Sequence, residues 1–197
     1  MLKLYISDVS GLDIESASAL LPPDRYEKMK KLRRSEDKKL SAGAYLLFRR
    51  ASELNGLSPD YTVGLNGKPD YSASGMHFSI SHSGCYAVCA VSDKTVGVDI
   101  ERPRHGSLKL AERFFAADEL DHLKSCGSPD DEFCRIWTMK ESFIKAYGLN
   151  LSELGGFSVL DSRCCSYCGF TFNGYHISVC TAEEDSGAEL TELYDLC

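Results

Sequence analysis

Val96-Gly97-Val98-Asp99-Ile100-Glu101 is the stretch on which the reading of this chain turns. Apolar residues at 96, 98 and 100 alternate with Gly97, Asp99 and Glu101, which is the period of a strand with one face in a core. Pro103 then ends the strand. Asp99 and Glu101 share the other face, so their carboxylates enter the same space. Two such charges about 4 Å apart repel by about 4 kcal/mol at an effective dielectric of 20. Solvent relaxes that repulsion at an open edge; an enclosed site does not. Alone, the pattern also fits a wet polar face.

Upstream, Tyr61 to Glu101 reads as short β-prone runs broken at Asn66-Gly67, Ser83-Gly84 and Ser92-Asp93-Lys94, an antiparallel meander. Before it, Pro22-Pro23-Asp24 starts a helix. Leu40, Ala44, Leu47, Ala51 and Leu54 form one apolar stripe that ends at Asn55-Gly56. Downstream, the chain predicts a helix over about Leu108 to Lys124 and another from Pro129-Asp130-Asp131 to Gly148. Strands follow at Phe157 to Leu160, Gly169 to Phe172 and Tyr175 to Cys180, the last two around the hairpin turn Asn173-Gly174. Helix followed by strands thus occurs twice, without a residue-level repeat.

The helix from Pro129 carries Phe133, Trp137 and Ile144 on one stripe, and Glu141 interrupts it. A carboxylate at a core-facing position needs a cation or a strong donor. A Glu141–Lys145 surface pair at i,i+4 contributes only about 0.2 to 0.5 kcal/mol and does not explain the interruption. If Glu141 meets Asp99 and Glu101, three oxygen donors make a site for a hard cation. Mg²⁺ suits it when waters and substrate phosphates complete the shell. The chemistry is then phosphoryl transfer, with lysines taking up the charge that develops on the leaving group. Gly67-Lys68-Pro69 and Ser81-His82-Ser83-Gly84 add phosphate-compatible donors. The Ser-His-Ser run lacks a G-x-S-x-G elbow, and neighbours on a strand point to opposite faces, which argues against a serine hydrolase.

Composition sets the remaining bounds. With 197 residues, 43% hydrophobic and 26% charged, the chain fits one domain or two small halves. It has no run of about 18 apolar residues, and Met1 to Asp8 shows no secretory pattern, so no membrane association and a cytoplasmic location are expected. A net charge of −7 argues against nucleic-acid binding. Yet Arg25 to Lys39 holds eight basic residues against three acidic ones, a concentrated positive segment. Nine cysteines is an odd count, and Cys164, Cys165 and Cys168 lack a second pair to complete a zinc site. Free thiols and no zinc are expected.

Taken in order, His77-Phe78-Ser79-Ile80-Ser81-His82-Ser83-Gly84, the 96–101 strand, Arg113-Phe114-Phe115 and Trp137-Thr138-Met139-Lys140-Glu141-Ser142-Phe143-Ile144-Lys145-Ala146-Tyr147-Gly148 join Gly67-Lys68-Pro69. The set resembles the larger, pseudo-dimeric (Sfp-type) 4′-phosphopantetheinyl transferases. The resemblance implies an α+β fold of two similar halves, 1–101 and 102–197. Each half is a helix on a small, mainly antiparallel sheet, with the active site in the cleft between them. It implies transfer of the phosphopantetheine arm of coenzyme A to a serine of an apo acyl or peptidyl carrier protein, releasing adenosine 3′,5′-bisphosphate, by a monomer.

By the same resemblance Asp99, Glu101 and Glu141 hold Mg²⁺, and Glu141 and Lys145 are catalytic. Lys68, Ser81, His82, Lys140 and Lys145 contact coenzyme A, with Lys28 and Lys31 near its 3′-phosphate. The chain departs from the family at Ser79, where asparagine is commoner, at Leu40, where an arginine often reaches the nucleotide, and at Asn150, where a second glycine usually follows Gly148. The competing readings are a carrier-binding module without catalysis and another Mg²⁺-dependent nucleotide-cleaving transferase. The intact Asp99, Glu101, Glu141, Lys145 set speaks against the first, and the missing P-loop against the second.

Overall fold

The N-terminal run Leu2–Asp8 forms strand β1, with Leu2, Leu4, Tyr5, Ile6 and Ser7 buried. The computed structural model describes residues 1–63, 68–71, 75–161, 165–182, 188–194 and 196. After β1 come α1 (Ile14–Ala19), α2 (Pro23–Lys30) and α3 (Ser35–Leu54). Strands β2 (Tyr61–Val63), β3 (Pro69–Tyr71), β4 (His77–Ser83), β5 (Tyr86–Ser92) and β6 (Val96–Glu101) follow. Next are α4 (Leu108–Phe114), α5 (Ala117–Ser125) and α6 (Pro129–Tyr147), then β7 (Ser166–Phe172), β8 (Tyr175–Thr181) and β9 (Glu189–Glu192).

The fold is α+β. One sheet has the order β4-β5-β1-β9, with β1 antiparallel to β5 and parallel to β9. A second, β6-β8-β7, is antiparallel throughout, and β2-β3 is a separate ribbon. The meander expected over residues 61–101 therefore breaks before its last strand. Strand β6 leaves β5 to pair with β8, in the register Asp99↔Ser178 and Glu101↔His176.

The two larger sheets face each other across a core of Leu4, Ile6, Val88, Val96, Val98, Ile100, Ile177 and Val179. Each such side chain contributes roughly 1.5–3 kcal/mol by leaving water, and this burial fixes which face of β6 turns inward. Helix α3 covers the far side of the first sheet through Tyr45, Leu46, Leu47, Phe48 and Ala51. Helix α6 lies on the second sheet, with Thr138 Oγ1 2.8 Å from Ser178 Oγ. Gly97 makes that approach possible, because a Cβ there would collide with the backbone of Ser142 and Ala146. None of the described helices is long and apolar enough to cross a membrane.

The other sequence expectations divide. Asn173 and Gly174 take φ values of 47° and 76°, the left-handed pair that a tight hairpin turn requires. The helix expected over 108–124 is two helices, because Phe115 and Ala116 are extended and Glu119 Oε2 accepts the Ala116 N–H at 2.8 Å to start α5. No strand forms over 157–160; these backbone groups bond outward instead, Phe157 O to Lys140 and Val159 N to Glu119. Asn150 has an extended backbone, and its N–H donates to Glu153 Oε2 at 2.7 Å to start a 3₁₀ turn. Asn66, Gly67 and Cys164 lie outside the described residues. The seven described cysteines are free thiols.

Candidate active site

Strand β4 carries serines at alternate positions, Ser79, Ser81 and Ser83, and all three bond across to β6. Ser79 Oγ accepts the Val98 N–H at 3.0 Å, Ser81 Oγ donates to Asp99 Oδ1 at 2.7 Å, and Ser83 Oγ donates to Glu101 Oε2 at 2.8 Å. These bonds lock the edges of the two sheets in register and hold both carboxylates in place. Charge-assisted bonds of this kind are roughly twice as strong as neutral ones.

From α6, Glu141 and Lys145 reach the same place, one helical turn apart. Lys145 Nζ donates to Asp99 Oδ1 at 2.6 Å and to Ser81 Oγ at 2.9 Å. Asp99 is buried, and its Oδ2 has no hydrogen-bond partner. Burial first, then the charges of Asp99 and Glu101, raises the Glu141 pKa to about 7 against the pull of Lys145. Burial likewise raises that of Glu101, with Asp99 adding to it. The group is short of positive charge.

These residues line one cavity of about 630 Å³. Asp99, Glu101, Glu141, Lys145, Ser81 and His82 form one part of its wall, and Asp24, Arg25, Lys28, Ser41 and Tyr61 another. Arg25 is held there by Tyr61: its Nε donates to the Tyr61 hydroxyl at 2.7 Å, which donates to Asp24 Oδ2 at 3.1 Å. Its guanidinium also lies 5.1 Å from the Tyr61 ring centroid. Desolvation and then the charge of Lys145 lower the pKa of His82.

Three expected contact residues stand elsewhere. Lys31, past the end of α2, is exposed and does not line the cavity. The reach falls instead to Arg25, one turn before Lys28 on the same face. An i,i+3 count from Lys28 would have found it. Lys68 donates to Ala146 O at 2.5 Å and lines a smaller neighbouring cavity of about 260 Å³, which shares Pro69, Ile80 and Lys145 with the first. Lys140 is not brought to the site at all. It is fully buried on the other side of α6, paired with Glu119 at 2.7 Å, because adjacent helix positions differ by about 100° in direction.

Comparison with known proteins agrees with this geometry. The profile of the 4′-phosphopantetheinyl transferase superfamily matches residues 95–189, which includes β6 and α6 with all four charged residues above. The 4′-phosphopantetheinyl transferase Sfp of Bacillus subtilis (strain 168) is 32% identical over 200 residues, covering 90% of this chain and 89% of the relative. The chain belongs to the 4′-phosphopantetheinyl transferase family. A second 4′-phosphopantetheinyl transferase of Bacillus subtilis is 39% identical over 150 residues, 72% of this chain and 66% of the relative. The transferase gsp of Aneurinibacillus migulanus is 47% identical over 75 residues, 37% of this chain and 32% of the relative. This chain is an enzyme of that class.

In this transferase Asp99, Glu101 and Glu141 are the oxygen donors available to a hard cation. Among the described residues no group of three or more His, Cys, Asp or Glu side chains is placed to hold an ion as arranged, and Lys145 donates to Asp99 Oδ1. The donor chemistry nevertheless fits one. Asp99 Oδ2 is a buried carboxylate oxygen without a partner, and burial, then the charge of Asp99, raises the pKa of Glu141. A divalent cation would answer both.

Proposed function

We propose that this transferase moves the 4′-phosphopantetheine arm of coenzyme A onto a serine hydroxyl of an apo acyl or peptidyl carrier protein, releasing adenosine 3′,5′-bisphosphate. A single observation carries this reading. One cavity joins the cations Arg25 and Lys28 to the acidic cluster with Lys145, and coenzyme A presents a 3′-phosphate and a pyrophosphate to be met by the two.

Asp99, Glu101 and Glu141 would hold Mg²⁺, which supplies charge neutralisation on the pyrophosphate oxygens. Lys145 leaves Asp99 for the pyrophosphate and takes up charge on the departing phosphate. Ser81 and His82 line the wall beside it, and Arg25 and Lys28 bind the 3′-phosphate. Glu141 accepts the proton of the carrier serine as its oxygen attacks the phosphorus attached to the pantetheine arm. The bond from that phosphorus to the bridging oxygen breaks, and the adenosine 3′,5′-bisphosphate leaves with the electron pair.

We infer a cytoplasmic location, since the described thiols are free, as a reducing compartment keeps them. Chromatography of the nucleotide product tests the reaction. Adenosine 3′,5′-bisphosphate should appear in step with carrier modification and only with a divalent cation present. Release without a carrier would favour a different nucleotide-cleaving activity.

A further inference from the structure

Glu119 and Lys140 are both wholly inaccessible to solvent, deep among Ala111, Phe115, Leu123, Phe133, Ile136 and Val159. Lys140 Nζ donates to Glu119 Oε2 at 2.7 Å and to Phe157 O at 2.6 Å, and lies 4.4 Å from the centroid of the Phe157 ring. Glu119 accepts from Ala116 N and from Val159 N, each at 2.8 Å. Two bonds from Lys140 thus tie α6 to α5 and to the 157–159 segment, and two more hold the Glu119 carboxylate in place to receive it.

Stability alone does not account for this pair. Replacing a buried ion pair by apolar side chains of similar volume is commonly neutral or stabilising, whereas directed charges restrict the arrangements a core accepts. The restricted arrangement here is the rotation of α6. Lys140 and Glu141 are adjacent, so one rotation sends Lys140 into the core and Glu141 into the cavity. Any turn of the helix that swings Glu141 or Lys145 also pulls the ammonium off Glu119 and Phe157 O. On its opposite side α6 is stopped by Gly97, where no Cβ fits beneath Ser142 and Ala146.

Building on the transfer reaction above, we propose that Glu119 and Lys140 are a positioning pair for it. Held between this pair and Gly97, α6 presents Glu141 and Lys145 to Asp99 and Glu101 within the narrow tolerance that a functional site requires. Neither residue touches substrate. Both act through the orientation of α6.

The test is the double variant Glu119→Gln/Lys140→Met, which removes both charges and keeps an acceptor for one of the backbone N–H groups. It is assayed at a temperature where circular dichroism shows it folded. Expected are a kcat lowered by about tenfold or more, a KM for coenzyme A within about twofold of the parent, and Mn²⁺ affinity, read by water-proton relaxation, weakened about fivefold. A folded variant with parental kcat and parental Mn²⁺ affinity overturns the proposal. Should the double variant not fold, Glu119→Gln alone is read the same way. If the unaltered chain itself transfers nothing, the transfer reading has failed; the Mn²⁺ affinities still decide the positioning role.

Discussion

Lys145 Nζ sits 2.6 Å from Asp99 Oδ1, so the helix donor occupies an oxygen that a metal ion would also seek. A bound cation would compete with Lys145 for Asp99 until a pyrophosphate drew the lysine away. Lys145→Met should therefore bind Mn²⁺ more tightly than the parent when coenzyme A is absent. Its turnover should nonetheless fall by about 10²-fold, the usual loss when one charge-stabilising donor is removed. Metal titration and steady-state kinetics on the same variant check both halves.

Glu141 makes the metal-free protein pH-sensitive. Its folded pKa of about 7 lies above the ordinary 4.5, so the folded state keeps a proton that the unfolded state has released. Stability is then lost as pH rises from about 4.5 to about 7 and stays low above that. Discounted for partial solvent contact, the deficit is on the order of 2 kcal/mol. Without metal, Glu141→Gln should melt higher than the parent at pH 8 and with it near pH 4.5. Added Mg²⁺ should raise the parent's melting temperature more than the variant's.

Arg25 and Lys28 are assigned the 3′-phosphate, and Lys31 is not. Loss of either Arg25 or Lys28 to alanine should raise KM for coenzyme A by about tenfold, in keeping with about 1.5–3 kcal/mol for a hydrogen bond to a charged group less its solvent exposure. Neither loss should matter with dephospho-coenzyme A, which lacks that phosphate. Lys31→Ala should match the parent with both substrates.

Gly97→Ala tests the close approach of α6 to β6. The added methyl meets backbone, which cannot rotate away, so the helix must lift from the strand. A loss of about 2–4 kcal/mol is expected in urea unfolding, with activity reduced in the fraction that folds.

Much of the site was legible in the sequence because it obeys simple periods. Alternation placed Asp99 and Glu101 together, and the break in an apolar stripe marked Glu141. Lys140 was misplaced for a reason the same arithmetic exposes. Ile136, Lys140 and Ile144 recur at i,i+4, and the two isoleucines are buried, so the lysine follows them into the core. Nothing local announced its partner, since Glu119 lies 21 residues away and acts only through the tertiary fold. Strand β1 and the departure of β6 from β5 were hidden similarly, because pairing between distant segments leaves little trace in either one.

The most direct test of the central claim is intact-mass analysis of a panel of apo acyl and peptidyl carrier proteins incubated with this enzyme, coenzyme A and Mg²⁺. The account predicts that at least one carrier gains the mass of a single phosphopantetheine on its serine. It also predicts that Glu141→Gln, folded by circular dichroism, adds it far more slowly. A panel left unmodified by the parent, with Mg²⁺ or Mn²⁺ present, would contradict it, as would a Glu141→Gln variant that works at the parental rate.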